Sequence, residues 1–314
     1  MNIGLDMMGG DFAPLEAAHG LQLFLSEHKA PANVFLFGDE AQINSLIAQL
    51  NIPSQSVTVV HAPQVIEMHE HPTKALKEKQ QSSIALGFYY LAKGNIDAFI
   101  SAGNTGAMLV GAMYSIKAIP GVLRPTISTI IPKENGNSGL LLDVGLNADC
   151  KPENLNQFGI LGSLYAQYIL GIENPKVGLM NVGEEEGKGN ILAQAAYPLL
   201  KSNPQINFIG NLEGRDVLSD KADVMVCEGF TGNIILKLAE SLYEVTNRLQ
   251  IQHEYLDRFN FENYGGTPVL GVSKPVIIGH GISHGKAFKN MIVLAAKMVE
   301  SGLMEKMKAS FKGD

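Results

Sequence analysis

The sequence predicts an α/β fold, a largely parallel sheet flanked by helices. Three observations predict it. Short apolar runs alternate along the chain with amphipathic stretches of helical length. The runs are apolar throughout, as befits strands buried on both faces. Several of them end in clusters of Gly, Asn, Thr, Ser and Asp, the punctuation of a chain leaving a strand. Residues 1–314 read as one α/β domain, with two lobes around a cleft as its more open form.

The elements follow in order. "MNIGLDM" opens the chain as a strand; it has no basic n-region and no cleavage site, so no leader is expected. "NVFLFG" and "SVTVVHA" are strands, and the helix "SSIALGFYYLAKG" feeds the strand "IDAFISA". Residues 99–116 carry no charge and nearly reach bilayer-spanning length. Ser101, Gly103, Asn104, Thr105 and Gly106 divide that stretch, so it reads as strand, turn and helix. "TISTIIP" and "GLLLDVG" are strands joined through "KENGNSG" as a hairpin or loop. "NLNQFGILGSLYAQYIL", "NILAQAAYPLLK" and "NIILKLAESLYEVTNRL" are helices set among the strands "KVGLMNVG", "INFIGN" and "ADVMVCEG". "PVIIGHG" is the last strand. "KAFKNMIVLAAKMVESGLMEKMKASFK" reads as one basic amphipathic helix, suited to core packing or, as the alternative, to an anionic lipid surface.

Composition limits the function classes. With 46% apolar and 18% charged residues the chain is not disordered. A formal charge of −7 argues against nucleic acid as the main partner. The two cysteines, Cys150 and Cys227, lie far apart with no CxxC, which points to reduced, buried thiols in a cytosolic protein rather than zinc or a disulfide framework. No metal and no cofactor is expected.

Six strand ends carry related polar chemistry: "DMMGGD", "SAGNTG", "DVGLNADCKP", "NVGEEEGKGN", "CEGFTGN" and "GHGISHGKAF". Carboxyl ends of parallel strands are where such sheets bind ligands, so the six tips suggest one composite polar site. In "SAGNTG", backbone amides, the hydroxyls of Ser101 and Thr105 and the Asn104 amide suit an anion, phosphate first; a plain helix cap is the alternative. Lys188, between two glycines, can neutralise phosphate as a point charge, or simply be a solvated residue of a charged loop. Asn233 can donate to a developing oxyanion or cap a helix. Asp143 and Asn147 end a strongly apolar strand, where a carboxylate can orient a partner or, on weaker grounds, bind a metal, while Asp6 and Asp11 flank "MMGG" and can cap a helix or brace a neighbouring loop. His280 stands in "GHG" beside Gly281, and Gly232 lies in "FTGN", where backbone can approach a ligand. No GxxxxGK[ST], GxSxG or papain-like cysteine occurs. "GHGISHG" has the wrong spacing for a dinucleotide fingerprint, and no strand with a ribose-binding acid is expected after its helix.

The string "LDMMGGDFAP … SAGNTGA … IPGVLRP … LLDVGLNADCKPENLNQFG … VGLMNVGEEEGKGN … FIGNLEGRD … ADVMVCEGFTGNIILK … YGGTPVLG … GHGISHGKAFKN" resembles the PlsX phosphate acyltransferases of bacterial phospholipid synthesis, nearly end to end. The resemblance implies an isocitrate/isopropylmalate dehydrogenase-like fold, related to phosphotransacetylases. It implies conversion of acyl-ACP and inorganic phosphate to acyl phosphate and free ACP, which supplies a membrane glycerol-3-phosphate acyltransferase. It implies a homodimer with its site in a cleft near the dimer contact, and Lys188 and Asn233 as active-site residues. In "VIEMHEHPTKALKEKQQSS" (65–83), Lys74, Lys77 and Lys79 remain of a basic run suited to acidic ACP, and His69 stands where Asp is common. The short, charged segment 250–263 replaces a longer apolar insertion, so the protein is expected in the cytoplasm, with peripheral membrane contact as the open variant. A short-chain phosphotransacylase using acyl-CoA and a non-catalytic phosphate- or acyl-binding module are the competing readings.

Overall fold

The computed structural model describes residues 1–28 and 32–312. In chain order the elements are β1 (Asn2–Asp6), α1 (Leu15–Glu27), β2 (Asn33–Gly38), α2 (Glu40–Gln49), β3 (Val57–His61), α3 (Pro72–Glu78), α4 (Ser83–Lys93), β4 (Ala98–Ser101) and α5 (Thr105–Gly111). Then come β5 (Thr126–Pro132), β6 (Ser138–Leu142), α6 (Pro152–Tyr165), β7 (Lys176–Met180), α7 (Ile191–Ser202), β8 (Asn207–Leu212), β9 (Val224–Val226) and α8 (Gly229–Arg248). The chain closes with α9 (Glu254–Asp257), β10 (Gly266–Leu270), β11 (Val276–Gly279), α10 (Gly285–Glu300) and α11 (Leu303–Ser310). Both α5 and α6 run on into a wider π-type turn.

The chain divides into two compact units. The first comprises residues 1–117 and 261–304, the second residues 118–260 and 305–314. In the first the strand order is β3-β2-β1-β4-β11-β10, parallel except for β10. In the second it is β5-β6-β9-β7-β8, parallel except for β5. The fold is therefore the expected one, a mostly parallel sheet flanked by helices.

Local chemistry sets the element ends. Asp39, Ser82 and Asn190 accept the capping hydrogen bonds of α2, α4 and α7 from Gln42, Ala85 and Ala193. The first core is built from strand residues buried on both faces, among them Ile3, Leu5, Val34, Leu36, Phe99 and Ile277. In the second, Leu140, Leu141, Leu142, Val177 and Val224 serve the same purpose.

Two expectations need correction. β10 goes unseen in the sequence reading because Pro268 interrupts its apolar run, and proline argues against a central strand. It pairs antiparallel with β11, Pro268 opposite Ile277. The single last helix is two helices, broken at Ser301–Gly302, where Gly302 takes φ +66°. α10 buries Phe288, Met291, Ile292 and Ala295, which is the core-packing use of its apolar face. Among the described residues no helix is long and apolar enough to cross a membrane.

Candidate active site

In the first unit β1, β4 and β11 are adjacent and parallel, so their carboxyl ends emerge side by side. Asp6, at the end of β1, is 1% exposed. Its carboxylate accepts from Ser101 Oγ at 2.6 Å and from the Met8 N–H at 2.9 Å. Burial pushes the Asp6 carboxyl up, against the opposing pull of hydrogen bonds from Ser101, Ser83, Met8 and Gly9. The Ser101 hydroxyl in turn accepts from the Gly103 N–H at 2.9 Å.

Asn104 caps α5, its Oδ1 accepting from the Ala107 N–H at 2.9 Å. Its Nδ2 donates to the carbonyls of Glu67, Met68 and Glu70 at 2.9, 3.3 and 3.0 Å. The capping reading therefore holds for Asn104, together with a clasp on the 67–70 segment. Thr105 is exposed and Gly106 half-buried. Among the described residues no acceptor takes the N–H of either, so two amides at the start of α5 stay open.

The β11 tip lies against the β1 tip, since the Asp11 N–H donates to the Gly281 carbonyl at 2.8 Å. His280 packs against the Phe261 ring at 5.1 Å, and its Nδ1 is buried without a partner among the described residues. Of the three lysines of the basic run, Lys79 is held by Glu70 at 2.5 Å and the Val65 carbonyl at 2.7 Å. Lys74 and Lys77 are exposed.

In the second unit the tips of β6, β9 and β7 share one edge. Asp143, wholly buried, follows a cis Leu142–Asp143 peptide. Its Oδ1 accepts from the Gly145 and Leu146 N–H groups, both at 3.0 Å, and its Oδ2 from the Asn147 N–H at 2.8 Å and Nδ2 at 2.6 Å. Burial again pushes the carboxyl up, against these hydrogen bonds. Asn147 also donates to the Pro125 carbonyl at 2.8 Å. Asp143 is thus the hub of its loop.

Asn233 is the fifth residue of α8, and the helix cap is Glu228, which accepts from the Thr231 N–H and, at 2.5 Å, from its hydroxyl. The capping alternative for Asn233 is therefore set aside. Its Nδ2 donates to the Val144 carbonyl at 3.1 Å, which orients the amide and leaves it a second N–H. Gly232 lets α8 rest on β6, because a Cβ there would fall 1.8 Å from the Asp143 carbonyl oxygen. The two thiols lie beside this loop. Burial, then the Asp143 charge, pushes Cys150 up to about 12, and burial raises Cys227 well above the usual thiol range. Neither is a thiolate nucleophile near neutral pH.

Lys188 lies in the loop 182–190 between β7 and α7 and is 53% exposed. The loop is fastened at many points. Asn181 accepts from the Val182 N–H at 2.8 Å and donates to the Lys188 carbonyl at 3.1 Å. Asn211 Nδ2 donates to the Glu185 carbonyl at 2.8 Å, and the Lys188 N–H donates to the same carbonyl at 3.1 Å. Glu184 pairs with Lys221 at 2.6 Å and Glu186 with Lys201 at 2.7 Å, while Glu185 stands 4.0 Å from the Lys188 ammonium. Two of the three acids are thus paired with lysines of other elements, although all three stay more than half exposed. Asn181, Asn211 and Glu228 were missed in the sequence reading; the only signal was an asparagine at the end of "GLMN" and "FIGN".

The family described as "Fatty acid synthesis protein" matches residues 1–306. The chain belongs to this family, the PlsX family. A relative from Dictyoglomus turgidum, "Phosphate acyltransferase", is 41% identical over 98% of this chain and 96% of its own length. One of the same name from Aquifex aeolicus is 41% identical over 99% and 97%. Among solved structures, a phosphotransacetylase from Streptococcus pyogenes superposes with a TM-score of 0.68 at 16% identity, over 96% of this chain and 94% of its own. The EutD phosphotransacetylase from Staphylococcus aureus gives 0.65 at 18%, over 95% and 94%. At those identities the likeness speaks for the fold alone.

Proposed function

We propose that this phosphate acyltransferase takes its acyl group from acyl carrier protein and transfers it to inorganic phosphate. A phosphate oxygen forms a bond to the thioester carbon, the C–S bond breaks, and the leaving thiolate takes a proton, giving acyl phosphate and free ACP. Phosphate is itself the nucleophile, which agrees with two thiols held in their protonated form. The observation that carries the reading is Lys188, an exposed ammonium on a loop fixed by Asn181, Asn211 and flanking ion pairs. A merely solvated loop needs no such fastening. On the second unit Lys188 neutralises the anion and the spare N–H of Asn233 donates to the oxyanion. The first unit, taken by itself, carries further groups suited to an anion, the open amides of Thr105 and Gly106, with His280 as its candidate proton donor. Asp6, Ser101, Gly103, Asn104, Asp143, Asn147, Gly232 and Gly281 act as the frame that sets these groups.

A homodimer fits the exposed face of α8. Phe230, Ile234, Leu238, Leu242, Val245 and Leu249 recur at helical spacing and are 38–65% exposed, an apolar stripe that a second copy would cover. The acyl phosphate is a reactive mixed anhydride that a later acyl acceptor must consume, which agrees with a cytoplasmic enzyme working for a membrane glycerol-3-phosphate acyltransferase.

The test is phosphate-dependent release of carrier thiol from long-chain acyl-ACP, with hydroxylamine trapping the product and acyl-CoA run beside it. Trapped acyl phosphate from ACP is the expected result. Turnover with short acyl-CoA alone would move the chain to the phosphotransacylase reading.

A further inference from the structure

We infer that Asn211 is a positioning residue that holds the Lys188 loop in its working conformation; the inference rests on the role proposed for Lys188. The backbone shows why Asn211 reaches that loop at all. β7 and β8 run in register at Val177 opposite Phe208, and again at Leu179 opposite Asn211. One residue of β7 thus faces two of β8, Ile209 and Gly210, and Gly210 takes φ +99°. The bulge inverts the side-chain alternation beyond it. Leu212 is turned fully into the core, and Asn211, 3% exposed, is turned to the Glu185 carbonyl at 2.8 Å. That carbonyl also accepts from the Lys188 N–H at 3.1 Å. Asn211 therefore fastens the peptide on which the lysine's own backbone hangs.

The other half of the same amide argues that stability is not its purpose. Asn211 Oδ1 is buried and accepts from nothing among the described residues. A buried acceptor without a donor is destabilising. A residue present only for packing would do better as leucine, which has similar size and no polar atom to leave unmatched. Packing alone does not call for an amide here, and what the amide supplies is one hydrogen bond to the loop.

The experiment compares Asn211→Leu, Lys188→Ala and the double variant in the full chain. Asn211→Ala serves as a second probe if the leucine does not fold. Three quantities are measured: Tm, steady-state turnover of acyl-ACP with inorganic phosphate, and amide hydrogen exchange over Gly183–Gly189. The expected result is an unchanged or raised Tm with faster exchange confined to the loop. We expect kcat to fall on the order of 10²-fold with little change in KM, the size of loss that misplacing a catalytic group can produce. The double variant should lose no more than Lys188→Ala alone, because both remove the same contribution. Unchanged exchange in the loop would overturn the inference. So would losses that add in the double variant, or a Tm that falls in step with activity. Normal turnover by Lys188→Ala would instead refute the lysine's role, and the exchange measurement would still decide whether Asn211 holds the loop.

Discussion

The turn at Ser101–Gly106 and the loop at Val182–Asn190 both carry the chain from a parallel strand into a helix, and they use their polar groups in opposite ways. In the turn the Ser101 and Asn104 side chains face inward: Ser101 is bound to Asp6 and Gly103, and Asn104 to Ala107 and three carbonyls. What remains open there is backbone, the amides of Thr105 and Gly106. In the loop the fastening comes from outside, through Asn211, Lys201 and Lys221, and what remains open is the Lys188 side chain. One tip offers fixed dipoles and the other a half-exposed charge, each held by polar groups that do no chemistry themselves.

The largest expected effect tests the loop side of that contrast. Lys188→Ala should lower kcat by roughly 10²–10³-fold, the scale on which a single stabilising donor acts in acyl transfer. Tm should stay put, because the ammonium is half exposed and the Glu185 carboxylate is 4.0 Å away. A Lys188→Ala enzyme with normal phosphate-dependent turnover would leave the fastening of the loop without a catalytic purpose.

The turn should behave the other way. Asn104→Ala removes a helix cap, about 1 kcal/mol, and strips the donor from three carbonyls of the 67–70 segment, about 1 kcal/mol more. Thermal unfolding should show the loss directly, and turnover at a temperature where the variant is folded should fall less than in Lys188→Ala. If Asn104→Ala kept the wild-type Tm but lost turnover, its amide would be a ligand rather than a clasp.

This contrast explains which features were legible in the sequence. Every apolar run read as a strand is one, the central ones because burial on both faces leaves a local signature and the half-buried edge strands β3 and β8 because their runs are still β-branched and apolar. β10 escaped because Pro268 disguises it. Lys188 stands out in the sequence by its glycine neighbours, but the fastening of its loop does not. The Asp6–Ser101 bond was not, because its partners are 95 residues apart and meet only when β1 and β4 lie side by side. Asn211 was less legible still, because its direction depends on a bulge in strand pairing that residue type cannot announce.

The smallest expected effect concerns the two buried acids. Burial raises both Asp6 and Asp143 above the ordinary aspartate pKa, about 3.9. Above that value and below the raised one, the folded chain keeps a proton that the unfolded chain has released. Stability from this source is therefore full at low pH and declines as pH rises through the window. Asp6→Asn carries no ionisable proton and should flatten that part of the Tm-against-pH curve, above the ordinary aspartate pKa of about 3.9. Asp6→Asn combined with Asp143→Asn should flatten it further. Asp143 receives four N–H donors and Asp6 a mixture of hydroxyls and amides, so the two single variants also rank the braces. If the slope survived in the double variant, neither carboxyl would hold a proton in the folded protein, and the hydrogen bonds would outweigh burial at both strand ends.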